Sequence, residues 1–150
     1  MREILFKAKR VNNGEWVEGY YCKWLKGERI ITYSEKETDC IITWMSNGGM
    51  SRYEVVPETL CQFTGLYDKN DKRIWENDIL MAHLDEFYPE DATYETVEWG
   101  VAGWAAHETS SIDREYGSVD REYLNEFDLE HFEVVGNIFD NQELLQEETR

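Results

Sequence analysis

The stretch Gln62-Phe63-Thr64-Gly65-Leu66-Tyr67-Asp68-Lys69-Asn70-Asp71-Lys72-Arg73-Ile74-Trp75-Glu76-Asn77-Asp78-Ile79-Leu80-Met81 decides how the chain folds. Phe63 to Tyr67 and Arg73 to Trp75 are short apolar and β-branched runs, joined by Asp68-Lys69-Asn70-Asp71. A β-hairpin with a tight connection accounts for that pattern, because Asp and Asn supply local side-chain acceptors and tolerate left-handed backbone. Glu76-Asn77-Asp78 then reads as a second turn before a strand at Ile79 to Met81.

Working outward, the same period-two reading extends over most of the chain. Ile4, Phe6 and Ala8 alternate with polar residues after Met1-Arg2-Glu3, so the chain opens on a strand; the charges in that run also disqualify it as a signal peptide. Asn12-Asn13-Gly14 is a turn, after which Trp16, Tyr20, Cys22 and Trp24 share one face of a strand and Val17, Tyr21 and Leu25 the other, with Gly19 between. Arg29 to Tyr33, Cys40 to Met45 and Tyr53 to Val56 continue a meander, punctuated by Asn47-Gly48-Gly49 and stopped by Pro57. Leu84 to Thr93 is a long polar connection. Thr96 to Val101 resumes alternation with Val97, Trp99 and Val101 expected inward, and Gly103 to Ala106 returns from the Gly100–Gly103 bend. Val119, Tyr123, Leu124 and Phe127 recur at helical spacing, so a helix is expected over Ser118 to His131, capped by Ser118. Phe132 to Phe139 is a last strand, and Asp140-Asn141-Gln142-Glu143 has the capping-box pattern of a short helix bearing Leu144 and Leu145. The expected class is mainly β with minor helix.

Composition limits what such a chain does. The hydrophobic share of 41%, with six Trp, nine Tyr and six Phe, is enough for a packed core in 150 residues and excludes a disordered acidic tail. No apolar run approaches the roughly 20 residues of a spanning helix. Cys22, Cys40 and Cys61 are an odd set without CxxC spacing, which disfavours a secreted disulfide framework and points to the cytoplasm, with a single disulfide among them as the alternative. Through Leu80 there are twelve Lys and Arg against thirteen Asp and Glu, a net of −1; from Met81 onward there are three against nineteen, a net of −16. The acidic second half would repel a phosphate backbone, so direct nucleic-acid binding is disfavoured.

Each candidate for chemistry has a plainer structural reading beside it. His83, His107 and His131 are scattered, and no metal-ligand spacing joins them. Asp85, Glu86, Glu90 and Asp91 lack the alternating ligands and glycine of a calcium loop, and read as a solvated acidic connection. Neither a nucleophile elbow nor a phosphate loop occurs, so no catalytic residue, metal or cofactor is assigned and an enzyme is not expected. Trp99, Trp104 and His107 flank glycines and small residues; they are either core or the lining of a binding groove. Asp113, Glu115, Asp120, Glu122 and Glu126 belong to a helix-like acidic stretch from Asp113 to Glu133, read either as a solvated helix face or as an imitation of a run of phosphates.

Three segments, taken in order, resemble the YopX-like family of phage and prophage proteins. Val55 to Leu80, VVPETLCQFTGLYDKNDKRIWENDIL, is similar to a family signature like PETVGQYTGLKDKNGKKIYEGDIV; Met1 to Ala8 is similar to an opening strand like MREIKFRAW; and Glu133 to Leu145 is similar to a closing segment like EVIGNIYENPELL. Residues from about Asp85 to Glu130 are individual to this chain. The family's glycines fall at Asp71 and Asn77 here, in turns expected to need positive φ, and Asp and Asn are the residues that best replace glycine there. A family proline falls at Gln142.

The resemblance implies one largely β domain over 1–150: an N-terminal β region over 1–61, and an SH3-like barrel region over 62–150 with an acidic insert at about 85–130 and a short C-terminal helix. It implies an architectural role for Thr64, Gly65, Leu66, Asp68, Asp78, Gly136 and Asn137, and carries over no active site. The function expected is that of an accessory protein acting by binding, either to a phage or host protein or to itself as a homo-oligomer. The alternatives are an acidic decoy for a basic nucleic-acid-binding protein and, more weakly, a metal-assisted hydrolase.

Overall fold

The structure, a computed structural model, describes residues 3–26, 36–83, 92–108, 112–113, 118–119, 122–125 and 129–145. The expected strand at Arg29 to Tyr33, nearly all of the acidic connection at 84–91, and Glu115, Asp120 and Glu126 lie outside them. The chain divides into two compact units, Met1–Phe63 and Thr64–Arg150.

The first unit is an antiparallel meander. β1 (Phe6–Lys9), β2 (Trp16–Lys26), β3 (Lys36–Trp44) and β4 (Met50–Glu54) pair in chain order. A 3-10 turn at Pro57–Thr59 then turns the chain back, so that the start of β5 (Cys61–Tyr67) pairs with the other side of β1. Ala8, Ile41 and Val55 are buried together, with Phe6, Val17, Tyr21 and Leu60 packed against them. These are the positions at which period-two alternation puts side chains on one face of a sheet.

In the second unit the end of β5 pairs with β6 (Arg73–Trp75). β7 (Asp78–His83), β8 (Ala92–Trp99), β9 (Trp104–Glu108), β12 (Glu122–Tyr123) and β13 (Glu133–Asn137) form an antiparallel sheet in the order β12-β9-β8-β7-β13. β10 (Ile112–Asp113) and β11 (Ser118–Val119) make a separate two-stranded ribbon, and a 3-10 helix spans Gln142–Leu145. Ile74, Leu80, Val97, Trp104, Ala106, Leu129 and Val134 form the core, with Leu66, Leu124 and Phe132 against it.

The hairpin read from Gln62 to Met81 is present, and its polar residues hold it in place. The buried Asp68 carboxylate accepts hydrogen bonds from the Asn70 and Lys72 N–H groups through Oδ1, at 2.8 and 2.9 Å. Its Oδ2 accepts from Val134 N–H at 2.9 Å, tying the turn to β13. Thr64 Oγ1 donates to the Ile74 carbonyl at 2.7 Å and accepts from Leu66 N–H at 3.1 Å, beside Gly65 at φ +83°. Asp78, also buried, accepts from Trp75 N–H at 2.8 Å and so caps its own turn. Among the described residues Asp71 (φ 59°) and Asn77 (φ 67°) are the non-glycine residues with positive φ, as the departures from the family glycines predict.

The closing segment works the same way. A Cβ on Gly136 would come within 2.3 Å of Asn141 Oδ1, the atom that accepts Asn137 N–H at 3.1 Å. Asn137 Oδ1 in turn accepts from Phe139 and Asp140 N–H, both at 3.0 Å.

Three expectations need correction. The all-β class holds, but the described strands make open sheets, with β12 and β13 at the two edges of one of them, and no closed barrel. The helix expected at Ser118 to His131 is replaced in its first part, where β11 and β12 lie; helical structure is described near its end, at Leu129, whose N–H donates to the Asn125 carbonyl at 3.2 Å. Pairing with β9 takes Glu122 and Tyr123 into a sheet, where their backbone groups are satisfied without a helix. Trp99 and Val101, expected inward with Val97, are 56% and 96% exposed, because the chain bends at Gly100 instead of continuing the pleat.

Candidate protein-binding surfaces

The surface anticipated in the second unit centres on the end of the β8–β9 hairpin. Gly100 N–H donates to the Gly103 carbonyl at 2.7 Å, closing a turn with Val101 at its tip. Below it Trp99 and Trp104 are cross-strand partners, packed edge to face with ring centroids 4.8 Å apart. They have opposite fates. Trp104 is buried in the core with its Nε1–H lacking an acceptor, whereas Trp99 faces solvent. From β12, Tyr123 lies against Gly100, and its hydroxyl oxygen accepts Ala102 N–H at 3.3 Å. Trp99, Val101 and the half-exposed Tyr123 therefore present an apolar tip.

Counted from the Trp99–Trp104 pair, Glu98 is one register position away and His107 three, with Nδ1 and Oε1 3.5 Å apart and both atoms shielded from water. The separation is long for a hydrogen bond and short enough for an ion pair when the imidazole is protonated. Glu122 is exposed on β12. Asp113 lies on the β10–β11 ribbon and Glu122 on a strand of the larger sheet, so these two do not share a helix face.

A larger aromatic surface lies on the first unit, and sequence reasoning did not single it out. Tyr20, Cys22 and Trp24 on β2 are in register with Ile42, Cys40 and Thr38 on β3, and Ile42 and Trp44 with Arg52 and Met50 on β4. Cross-strand partners share a face. Tyr20, Trp24, Trp44 and Met50 are 40–66% exposed on it, next to Met45 at the turn. The Arg52 guanidinium covers the Trp24 ring at 4.2 Å. The alternation placed Tyr20, Cys22 and Trp24 together. Which face of the strand would be covered was hidden, because both carry large apolar residues.

The β5–β6 turn borders an open cleft of about 450 Å³, between Gly65–Asp68 and Leu129–Glu130. The Asp68 carboxylate on its wall is committed to three N–H groups. Among the described residues no three His, Cys, Asp or Glu side chains stand close enough to hold a metal ion, and no helix is long and apolar enough to cross a membrane. Charge separates cleanly between the units. Met1–Phe63 has nine Lys and Arg against nine Asp and Glu, and Thr64–Arg150 has six against twenty-three, so the second unit carries the whole net charge of −17.

These features define an all-β protein of antiparallel sheets with exposed aromatic faces. The YopX protein family matches residues 6–146, and the chain belongs to that family. No curated protein matches it. Among solved structures it is similar to protein EF1440 from Enterococcus faecalis, at 20% identity and a TM-score of 0.50, over 97% of this chain and 100% of that one. At that identity the likeness concerns the fold.

Proposed function

We propose that this YopX-family protein acts by protein–protein contact rather than catalysis, and that the outward face of β2, β3 and β4 is the contact surface. The observation that carries this reading is the composition of that face: Tyr20, Trp24, Trp44, Met50 and Arg52 exposed on one small sheet. Trp, Tyr, Met and Arg are the residues enriched at protein interfaces, and monomers rarely leave such residues contiguous in water. The phage or prophage setting implied by the family resemblance belongs to the same reading.

The occupant proposed is a second copy of the chain. The first unit is electrically balanced, whereas two second units would repel each other. Arg52 and Glu54, two apart on β4 and both exposed, put opposite charges on the same face, which a two-fold axis sets against each other.

The test is sedimentation velocity on the full chain and on Trp44→Glu across the micromolar range. A dimer that the substitution converts to a folded monomer supports the reading, with a buried interface above about 1,000 Å² expected. A wild-type chain that stays monomeric throughout, or a dimer indifferent to Trp44→Glu and to Trp24→Ala, overturns it.

A further inference from the structure

Cys22 and Cys40 are far apart in sequence and directly opposed in space. β2 and β3 run in continuous register from Tyr20↔Ile42 to Lys26↔Lys36, and Cys22↔Cys40 is one of their pairs. The hydrogen-bonding phase of that pair follows from the other edge of β3. Val55 N–H donates to the Asp39 carbonyl at 2.9 Å and Met45 N–H to the Gly49 carbonyl at 2.7 Å. The odd-numbered residues of β3 therefore turn their backbone groups toward β4, and the even-numbered ones, Cys40 included, toward β2. Opposed residues in that phase have Cα atoms about 5.5 Å apart, inside the range of about 4.4–6.8 Å that a disulfide spans. Both side chains lie on the same face of the sheet, and neither cysteine is bonded to another in this structure.

We propose that Cys22 and Cys40 are an oxidative modification site, forming a reversible cross-strand disulfide by exchange with a low-molecular-weight disulfide. Cys22 is the half-buried member and Cys40 is almost fully buried. The Cys22 thiolate attacks one sulfur of the small disulfide, forms a mixed disulfide and releases one thiolate. The Cys40 thiol, as its thiolate, then attacks the Cys22 sulfur, closing the Cys22–Cys40 bond and releasing the second thiolate. The two protein thiols lose two protons and two electrons, and the small disulfide takes them up to become two thiols. Burial pushes the Cys40 thiol up, with the nearby Arg52 acting against it, so Cys40 suits the second, intramolecular step.

Opposed Cβ atoms on paired strands lie about 4.5–5.5 Å apart, against about 3.5–4.5 Å in a relaxed disulfide. Closure thus draws the strands together locally, which favours a bond that is readily reduced again. Cys61 has no share in it. It lies on β5, fully buried, with its Sγ–H donating to the Thr59 carbonyl.

The experiment incubates the full-length protein with oxidised glutathione, then alkylates free thiols and maps the peptides by mass spectrometry. The free thiols should fall from three to one, with a Cys22–Cys40-linked peptide, Cys61 alkylated, and full recovery on adding reduced glutathione. Cys40→Ser should stop at a single glutathione adduct on Cys22, and Cys22→Ser should react hardly at all. Because Cys40 is buried and its variant could fail to fold, the half-buried Cys22→Ser variant and the wild-type peptide map decide by themselves. Three thiols still alkylated after oxidation, a bridge that includes Cys61, a wild-type adduct that never closes, or a Cys22–Cys22 bond between copies would each overturn the proposal.

Discussion

At the scale of single residues, one carboxylate does the work of several backbone contacts. Asp68 neutralises three buried or part-buried N–H groups, two within its own turn and one on β13, sixty-six residues away. Charge-assisted hydrogen bonds of this kind resist removal, because the stranded donors cannot reach water. Asp68→Ala is expected to cost about 3 kcal/mol, read as a drop in the urea midpoint at constant slope. Asp68→Asn should be little better, since an amide nitrogen replaces one of two acceptor oxygens and faces a donor. The turn is legible because Asp-Lys-Asn-Asp carries its own acceptors. The partner on β13 is not, since nothing local marks a contact sixty-six residues distant.

Tyr21 offers a pH-dependent counterpart. Its hydroxyl donates to Asp39 Oδ1, and that bond, followed by burial and the charge of Asp39, pushes the phenol from 10.0 up to about 12. A raised phenol stabilises the fold fully below the unfolded value near 10, and the contribution fades as pH climbs through about 12. Stability should therefore fall across that window by more in wild type than in Asp39→Asn. A tyrosinate absorbance titration should show the late-ionising phenol moving to lower pH in the variant. An unchanged titration would remove Asp39 as the cause.

At the scale of elements, the β8–β9 hairpin shows where sequence patterns stop informing. Val97, Trp99 and Val101 alternate as an inward face should, yet only Val97 is buried. The break comes from Gly100 and Gly103, whose mutual hydrogen bond turns the chain before Trp99 and Val101 are covered. Trp99 and Trp104 look alike in sequence and are separated by that turn into a surface residue and a core residue. Trp104→Ala is expected to cost about 3–5 kcal/mol by leaving a cavity in the core of the second unit. Trp99→Ala should cost about 1 kcal/mol, the worth of one edge-to-face contact. Paired chemical-denaturation curves separate the two, and equal losses would contradict the burial difference.

The elements that were legible, β5 to β7 and β13, close their turns with side chains from their own segments. The short strands β11 and β12 were not, because Val119, Tyr123 and Leu124 fit a helical period and Tyr123 finds its strand partner only at Ala105. The surface of the first unit was half legible for a related reason: the register that aligns Tyr20, Trp24 and Trp44 depends on β3 and β4, which the residues of β2 do not specify.

At the scale of the whole molecule, the partition of charge makes the sign of the salt dependence informative. With twenty-three Asp and Glu against six Lys and Arg, the second unit is destabilised by its own field, and that repulsion acts over the Debye length. The screening distance shrinks from about 30 Å at 0.01 M salt to about 3 Å at 1 M. Added salt should therefore raise the melting temperature, on the order of a few degrees for a unit of this size. If salt instead lowers it, ion pairs dominate the second unit and the repulsion argument fails. Self-association through the balanced, aromatic face of the first unit should strengthen or hold as salt rises, since apolar burial is insensitive to screening and the second units then repel less. An acidic surface that occupies a basic partner must behave in the opposite way, losing affinity steeply as its attraction is screened. Measuring the dimer dissociation constant and the melting temperature over the same salt series separates these mechanisms, because contact through the first-unit face requires that the dimer not weaken as salt rises, whereas the melting temperature reports the second unit's own repulsion.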